Sequence, residues 1–286
     1  TIQVLHEPSG SSYGAVTNVD GRYSIQGMRT GGPYKVTVSY IGYQTVIYKD
    51  ITLQLGEIYN LNIEMKESSE LLSEVVVTGL KTKFTAEKTG ATTNINSAQM
   101  SQIPTVNRSI SDIARLSPYA NGMSFAGGDG RSTNFTIDGA NFNNNFGLSS
   151  ALPGGGSPIS MDAIEEVQVV IAPFDVRQTN FIGGGINAIT KSGTNTFKGT
   201  AYAFYRNQDM RGNRINGEDL GARADESKTT YGFTLGGPII KNKLFFFVNY
   251  EKEKTPGEVI KYRARDAGQE VKGMVSRTLK SDMDKV

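Results

Sequence analysis

The sequence predicts a mainly β chain in three stretches: a small β-sandwich, a mixed α+β domain, and the opening strands of a membrane-type β-barrel. Three observations carry that prediction. Residues 1–66 hold short runs of alternating apolar and polar residues, broken by glycine and proline turns every eight to twelve residues, the pattern of an all-β sandwich. Residues 161–193 run from a helix turn into a strand and then into three consecutive glycines, a sign of close backbone packing. Residues 197–250 hold ten of the 26 aromatic residues in one-sided alternation, which suits lipid contact better than a sheet facing water.

In the first stretch Asp20-Gly21 tolerates the positive φ of a hairpin turn. Tyr34, Val36 and Val38 follow on one face of a strand. Tyr59, Leu61, Ile63 and Met65 then alternate with Asn60, Asn62 and Glu64, predicting a strand with one buried and one wet face. His6 is the single histidine, which excludes a histidine-based triad or a multi-histidine metal site, and a surface position is expected for it. Residues 66–73, KESSELLS, form a polar, acidic linker. Beyond it come Glu74, Val75, Val76, Val77 and Thr78, then Gly79. Three adjacent β-branched residues favour extended backbone. Such a segment suits addition to the edge of another protein's sheet, and equally an ordinary strand of a neighbouring domain.

In the second stretch Ser97 begins a helical segment reaching Ile103, where Pro104 ends it. Ser109 with Asp112 caps a second that runs to Leu116 before Pro118. NFTIDG at 134–139 predicts a strand closed by an Asp-Gly turn. Residues 121–131 and 141–156 are rich in Asn, Gly and Ser, a loop composition. Ser160 caps a helix turn over 161–165, and Val167, Val169 and Ile171 alternate with Gln168 and Val170 in a strand that Pro173 stops. Gly183, Gly184 and Gly185 precede a further strand over 186–190 that contains Asn187. Residues 185–192 approach a phosphate-binding loop, but Thr190 stands where its second glycine is needed and no strand, loop and long helix surround it. GGDG at 127–130 lacks the spaced carboxylates and terminal glutamate of a calcium loop.

In the third stretch strands are expected over 196–206, 230–236 and 244–250. Tyr231, Phe233 and Leu235 alternate there with Thr230, Gly232, Thr234 and Gly236. The link 207–227 is long and charged whereas 237–243 is short, so the first strand is expected to run outward, because outer-membrane barrels keep long loops outside and short turns inside. Apolar residues at helical spacing over 274–286 predict the start of a helix in an outer loop. Three strands cannot close a barrel. The chain also opens on TIQVLHE, without methionine or leader, so a processed or truncated N-terminal portion of a longer protein is expected.

Composition narrows the function classes. The net charge of +2 divides as 0 over 1–66, −4 over 67–190 and +6 over 191–286, too modest for a nucleic-acid binder. Without cysteine there is no disulfide, thiolate metal site or cysteine nucleophile. No run of eighteen apolar residues occurs and mean hydropathy is −0.33, values that leave a membrane β-barrel open. No nucleophile, base and oxyanion grouping is readable, so no catalytic residue, metal ligand or cofactor is expected.

These residues resemble a known family. Ile164, Glu166, Val167, Val169, Pro173, Gly184, Gly185, Ile186, Asn187, Thr190 and Lys191 resemble the end of the plug of TonB-dependent outer-membrane receptors and transporters. IPTVNRSISDIARLSPYA at 103–120 follows the family's plug wording, with Tyr119-Ala120 replacing a glycine, and GGPIIKNKLFFFVNYE at 236–251 resembles the Oar-like branch. TNVDGRYSI and GGPYKVTVSYIGYQT are similar to the carboxypeptidase regulatory-like domain, a transthyretin-like sandwich found before such transporters in Bacteroidetes, with its first strand lacking before Thr1. The resemblance implies a sandwich over 1–66, a linker with a TonB-box-like strand over 67–78, a plug over 79–190 and the start of a transmembrane barrel over 191–286. It implies active transport of an unidentified substrate across the bacterial outer membrane, with residues 1–78 periplasmic. Glu74, Val75, Val76, Val77 and Thr78 would meet TonB, which works with ExbB and ExbD. Asn141, Phe142, Asn143, Asn144, Asn145 and Phe146 would face the substrate or pack irregularly against the wall. Gly183, Gly184, Gly185 and Asn187 would form the plug–barrel joint. Outer-membrane lipid and a surface lipoprotein complete the implied partners. The competing readings are an adhesion or carbohydrate-binding β-protein without transport, and an enzyme with a regulatory β-domain.

Overall fold

The period-two alternation of the first stretch becomes a five-stranded sheet. A computed structural model describes residues 1–67, 75–78, 91–105, 108–144, 152, 157–171, 182–212, 214–219, 226–256, 263–271 and 275–283. The sheet joins β1 (Ile2–His6), β2 (Ser11–Ala15), β3 (Gly31–Val38), β4 (Val46–Leu53) and β5 (Val75–Thr78) in the order β2-β1-β3-β4-β5. All neighbours are antiparallel except β5, which lies parallel to β4 with Val75 opposite Val46. Ile2, Val4, Tyr34, Val36, Val38 and Ile51 form the buried face, covered by Tyr23, Ile25, Met28, Leu61, Ile63 and Met65. Residues 61–65 keep the expected alternation of burial while Tyr59 is exposed, and the segment forms no strand ladder. Periodicity reports which side chains pack, whereas a ladder needs a neighbour at hydrogen-bonding distance. The Tyr23 hydroxyl donates to the Leu61 carbonyl at 2.8 Å, tying the two covering segments together. At the hairpin tip the Asn18 side-chain oxygen accepts from the Asp20 and Arg22 amides, with Gly21 at φ +77°.

The expected surface position of His6 is corrected. His6 shares the inward face of β1 with Ile2 and Val4, is buried, and packs 4.7 Å from the Tyr34 ring. Its Nδ1 lies 2.6 Å from the Ser9 hydroxyl, and burial with the Arg29 charge holds its pKa below the usual histidine value.

The second stretch builds another five-stranded sheet with two short helices on one face. Its elements are β6 (Ala91–Asn96), α1 (Ser97–Gln102), α2 (Ile110–Ala114), the small hairpin β7 (Ala120–Asn121) with β8 (Ser124–Phe125), β9 (Asn134–Ile137), β10 (Ala140–Asn141), β11 (Ile164–Ile171) and β12 (Gly184–Thr190). The order is β10-β9-β12-β11-β6, with β9 and β12 parallel. Helices of five or six residues do not persist alone. Here each carries a reciprocal capping box, Asn96 with Gln99 and Ser109 with Asp112. The second ends at Ala114 rather than Leu116. Met100, Ile110, Ile113 and Ala114 then bury against Ile95, Phe135, Val167, Val169 and Ile186. A bulge between Ile164 and Glu166 lets Ile164 and Val167 share this core face although they are three apart. The Asp138-Gly139 turn closes β9 as expected, with φ of +49° and +81°.

The chain divides into two units, residues 1–200 with 233–250, and residues 201–232 with 251–286. β13 (Lys198–Asn207) is followed by β14 (Arg214–Ile215), β15 (Glu218–Asp219), β16 (Ser227–Ile240) and β17 (Leu244–Lys254). β13, β16 and β17 lie side by side in that order. β16 continues through Pro238 to Ile240, so its link to β17 is only Lys241, Asn242 and Lys243, shorter than the expected 237–243. Phe233 and Leu235 are each 45% exposed whereas Thr234 between them is 7% exposed. In the second unit Tyr202 donates to Glu251 at 2.8 Å, and Lys228 pairs with Glu253 at 2.8 Å.

The expected helix over 274–286 is corrected in part. β18 (Arg263–Arg265) pairs in parallel with β19 (Val275–Leu279), and only α3 (Lys280–Met283) is helical. The β-branched Val275 and Thr278 favour the strand once a partner is supplied. Among the described residues no helix is long and apolar enough to cross a membrane.

Candidate functional site

The site is built where the second sheet meets its surroundings. Its helix-free face carries a polar row in register: Asn94 on β6, Gln168 on β11, Asn187 on β12 and Thr136 on β9 stand opposite one another. Thr136 donates to Asn187 at 2.8 Å, Asn187 to Gln168 at 3.2 Å, and Gln168 to the Leu55 carbonyl at 2.5 Å. Asn94 donates to the same carbonyl at 3.0 Å, and the Glu166 carboxylate accepts from the Leu55 amide at 3.1 Å. Both backbone groups of Leu55 are therefore held by side chains of the second domain. Glu166 is 4% exposed. Burial first, with the nearby Glu165 and Glu57 carboxylates adding to it, pushes its pKa up to about 7, against the pull of the Leu55 hydrogen bond.

The joint glycines divide by role. A Cβ on Gly184 would lie 2.9 Å from the Phe125 side chain and 3.0 Å from the Val170 carbonyl, so this strand start tolerates no side chain. Gly183 sits at φ +97° against the Phe125 carbonyl, whereas Gly185 has ordinary room. These contacts lie inside the second domain. The closest approach to the following strands is at Gly193, where a Cβ would stand 2.3 Å from the Phe246 carbonyl and 2.7 Å from the Gly237 carbonyl. Asp138 fixes the exit from β12 by accepting from the Thr190 amide at 3.0 Å and its hydroxyl at 2.8 Å.

The Asn-rich loop spends its polar groups on itself. Asn143 accepts from the Phe135 amide at 2.6 Å and donates to Asn134 at 2.9 Å, while its own amide donates to Asn141 at 2.7 Å. Phe142 packs on the core, 6.5 Å from the Phe135 ring centroid. Asn141 is exposed and Asn144 half-buried; Asn145 and Phe146 lie outside the described residues. Of the box-like segment, Val75, Val76, Val77 and Thr78 form β5 at the edge of the first sheet, and Glu74 lies outside the described residues. Among the described residues no group of acidic or histidine side chains could hold a metal ion.

Two family descriptions match: a carboxypeptidase regulatory-like domain over residues 1–66 and an outer membrane beta barrel domain over residues 189–259. The chain is 27% identical over 254 residues to the TonB-dependent transporter Oar of Myxococcus xanthus, covering 82% of this chain and 23% of that protein. The chain is therefore similar to a TonB-dependent transporter over most of its length. The siderophore receptor PirA from Pseudomonas aeruginosa shows 20% identity and a TM-score of 0.45 over 59% of this chain and 28% of its own. PirA from Acinetobacter baumannii shows 21% identity and a TM-score of 0.40 over 57% and 24%. The chain thus spans about a quarter of the length of the transporter it matches, and its match to an outer membrane beta barrel domain supports an outer-membrane location.

Sequence reasoning missed Leu55, Gly56, Asn94, Glu166 and Gln168 as one assembly. The available signal was Val170, an apolar residue on the same face of β11 as Gln168 and Glu166.

Proposed function

We propose that the full-length protein carries out TonB-dependent active transport across the bacterial outer membrane. In this reading residues 1–66 are a periplasmic sandwich, Glu74, Val75, Val76, Val77 and Thr78 are the strand that TonB grips, and residues 79–190 are the plug. TonB, energised with ExbB and ExbD, would pull that strand; a surface lipoprotein would assist at the outer side. Substrate would contact the loop of Asn141, Phe142, Asn143, Asn144, Asn145 and Phe146. Gly183, Gly184, Gly185 and Asn187 serve mechanically, holding the plug sheet where it continues toward the wall. Differential contacts in two plug states, not bond chemistry, do the work, and no enzymatic activity is proposed.

The observation that supports this best is the inverted alternation of β16, threonine inward and aromatic outward, on a strand that follows a mixed domain whose sheet is covered on both faces. A strand at a sheet edge, as β5 is, offers main-chain groups to an added strand. Isothermal calorimetry of full-length protein with purified TonB tests it. Val76→Pro removes a ladder donor and is expected to abolish binding; equal affinity of the two proteins would sink the reading.

A further inference from the structure

The β5 strand is not an isolated tether. It lies on β4 with Val75, Val76, Val77 and Thr78 opposite Val46, Ile47, Tyr48 and Lys49. β4 ends at Leu53, and two residues later Leu55 is gripped through both its amide and its carbonyl by Glu166, Gln168 and Asn94. From Gln168 the hydrogen bonds continue to Asn187 and Thr136, so four of the five strands of the plug sheet share the hold. Gly56 makes the grip possible. Its φ is +67°, and a Cβ there would stand 2.6 Å from the Gln168 side-chain nitrogen, so only glycine lets the turn seat at that depth.

We infer that the Leu55-Gly56 turn is a handle by which the plug holds the front sandwich, so that load taken up at β5 enters the plug sheet through β4 and this handle as well as along the covalent linker. The coupling travels through a contiguous set of backbone and side-chain hydrogen bonds, with each link given above. It rests on the reading of β5 as the pulled strand. Glu166, which accepts from the Leu55 amide, has its pKa raised to about 7 by burial, and hydrogen bonds shielded from water resist exchange with solvent better than exposed ones.

Single-molecule pulling of the full-length protein in lipid nanodiscs, with the force handle at Thr78→Cys, tests the inference; residues 1–286 contain no cysteine, and any cysteine elsewhere in the protein is replaced by serine so that the attachment is unique. The first rupture is expected to release sandwich and plug sheet in one step. Gly56→Val and, separately, Gln168→Ala are expected to split it into two steps, with the sandwich leaving first. A two-step rupture in the unsubstituted protein, or an unchanged single step in both variants, overturns the inference. In a second arm amide hydrogen exchange is expected to protect the Leu55 amide in the unsubstituted protein and to lose that protection in Glu166→Ala; an unprotected Leu55 amide in the unsubstituted protein overturns the docking itself. Neither arm uses TonB or a substrate, so failure here leaves the calorimetric test of transport standing, and failure there leaves the handle standing.

Discussion

Phe135 and Phe233 sit on strands with the same two-residue period, yet Phe135 is 0% exposed and Phe233 is 45% exposed. On β9 the aromatic residue points at two capped helices and the polar Thr136 joins a hydrogen-bonded row. On β16 the aromatic residue points outward and Thr234 is the buried member, with its hydroxyl 2.6 Å from that of Thr200. Alternation says only that two faces differ. Which face is wet depends on the solvent, and lipid reverses the assignment.

The largest test of that contrast is Phe135→Ala, which is expected to cost about 3–5 kcal/mol by opening a cavity in a closed core. Denaturant unfolding read by amide exchange over 134–137 measures it; a loss under about 1 kcal/mol would mean that the plug core is not closed around this ring. Next comes Phe233→Lys, expected to cost about 2–4 kcal/mol in a bilayer if the residue lies near the midplane. The same change on a water-facing sheet stays within about 0.5 kcal/mol, so folding titrations in lipid vesicles decide between the two environments.

The smallest of the three uses pH. Glu166 has a folded pKa of about 7 against 4.5 when free. The folded state therefore holds the extra proton, and stability falls as pH rises from about 4.5 to 7, remaining at the lower level above that. With Glu165 and Glu57 the charged groups facing it, the upper limit is on the order of 3 kcal/mol. Glu166→Gln is expected to flatten this slope in urea titrations of the full-length protein between pH 4.5 and 7.5. An equal slope in the variant would assign the dependence to other groups.

Much of the plan was legible. The alternation around Val36 and Val38, the Ser109 and Asp112 box, the Asp138-Gly139 turn and the outward row of Tyr231, Phe233 and Leu235 are local or one-sided signals, written in adjacent residues. Other features were not. His6 reads as a lone surface imidazole until Tyr34 and Ser9 are beside it. Residues 59–65 read as a strand, yet cover a sheet without pairing to it. Residues 275–279 lie at helical spacing but take a strand because β18 supplies a partner.

The sequence by itself determined the mainly β architecture, the aromatic wall strands and the need for glycine near the end of the plug, because periodicity and backbone freedom are properties of consecutive residues. Only tertiary structure decided that β5 rests on the first sheet, that Gly193 rather than Gly183 makes the closest approach to the wall strands, and that Leu55 is held by Glu166, Gln168 and Asn94. Those contacts join residues up to 113 positions apart. Nothing in the spacing of either partner encodes the other, and the hydrogen bond exists only after both sheets have formed.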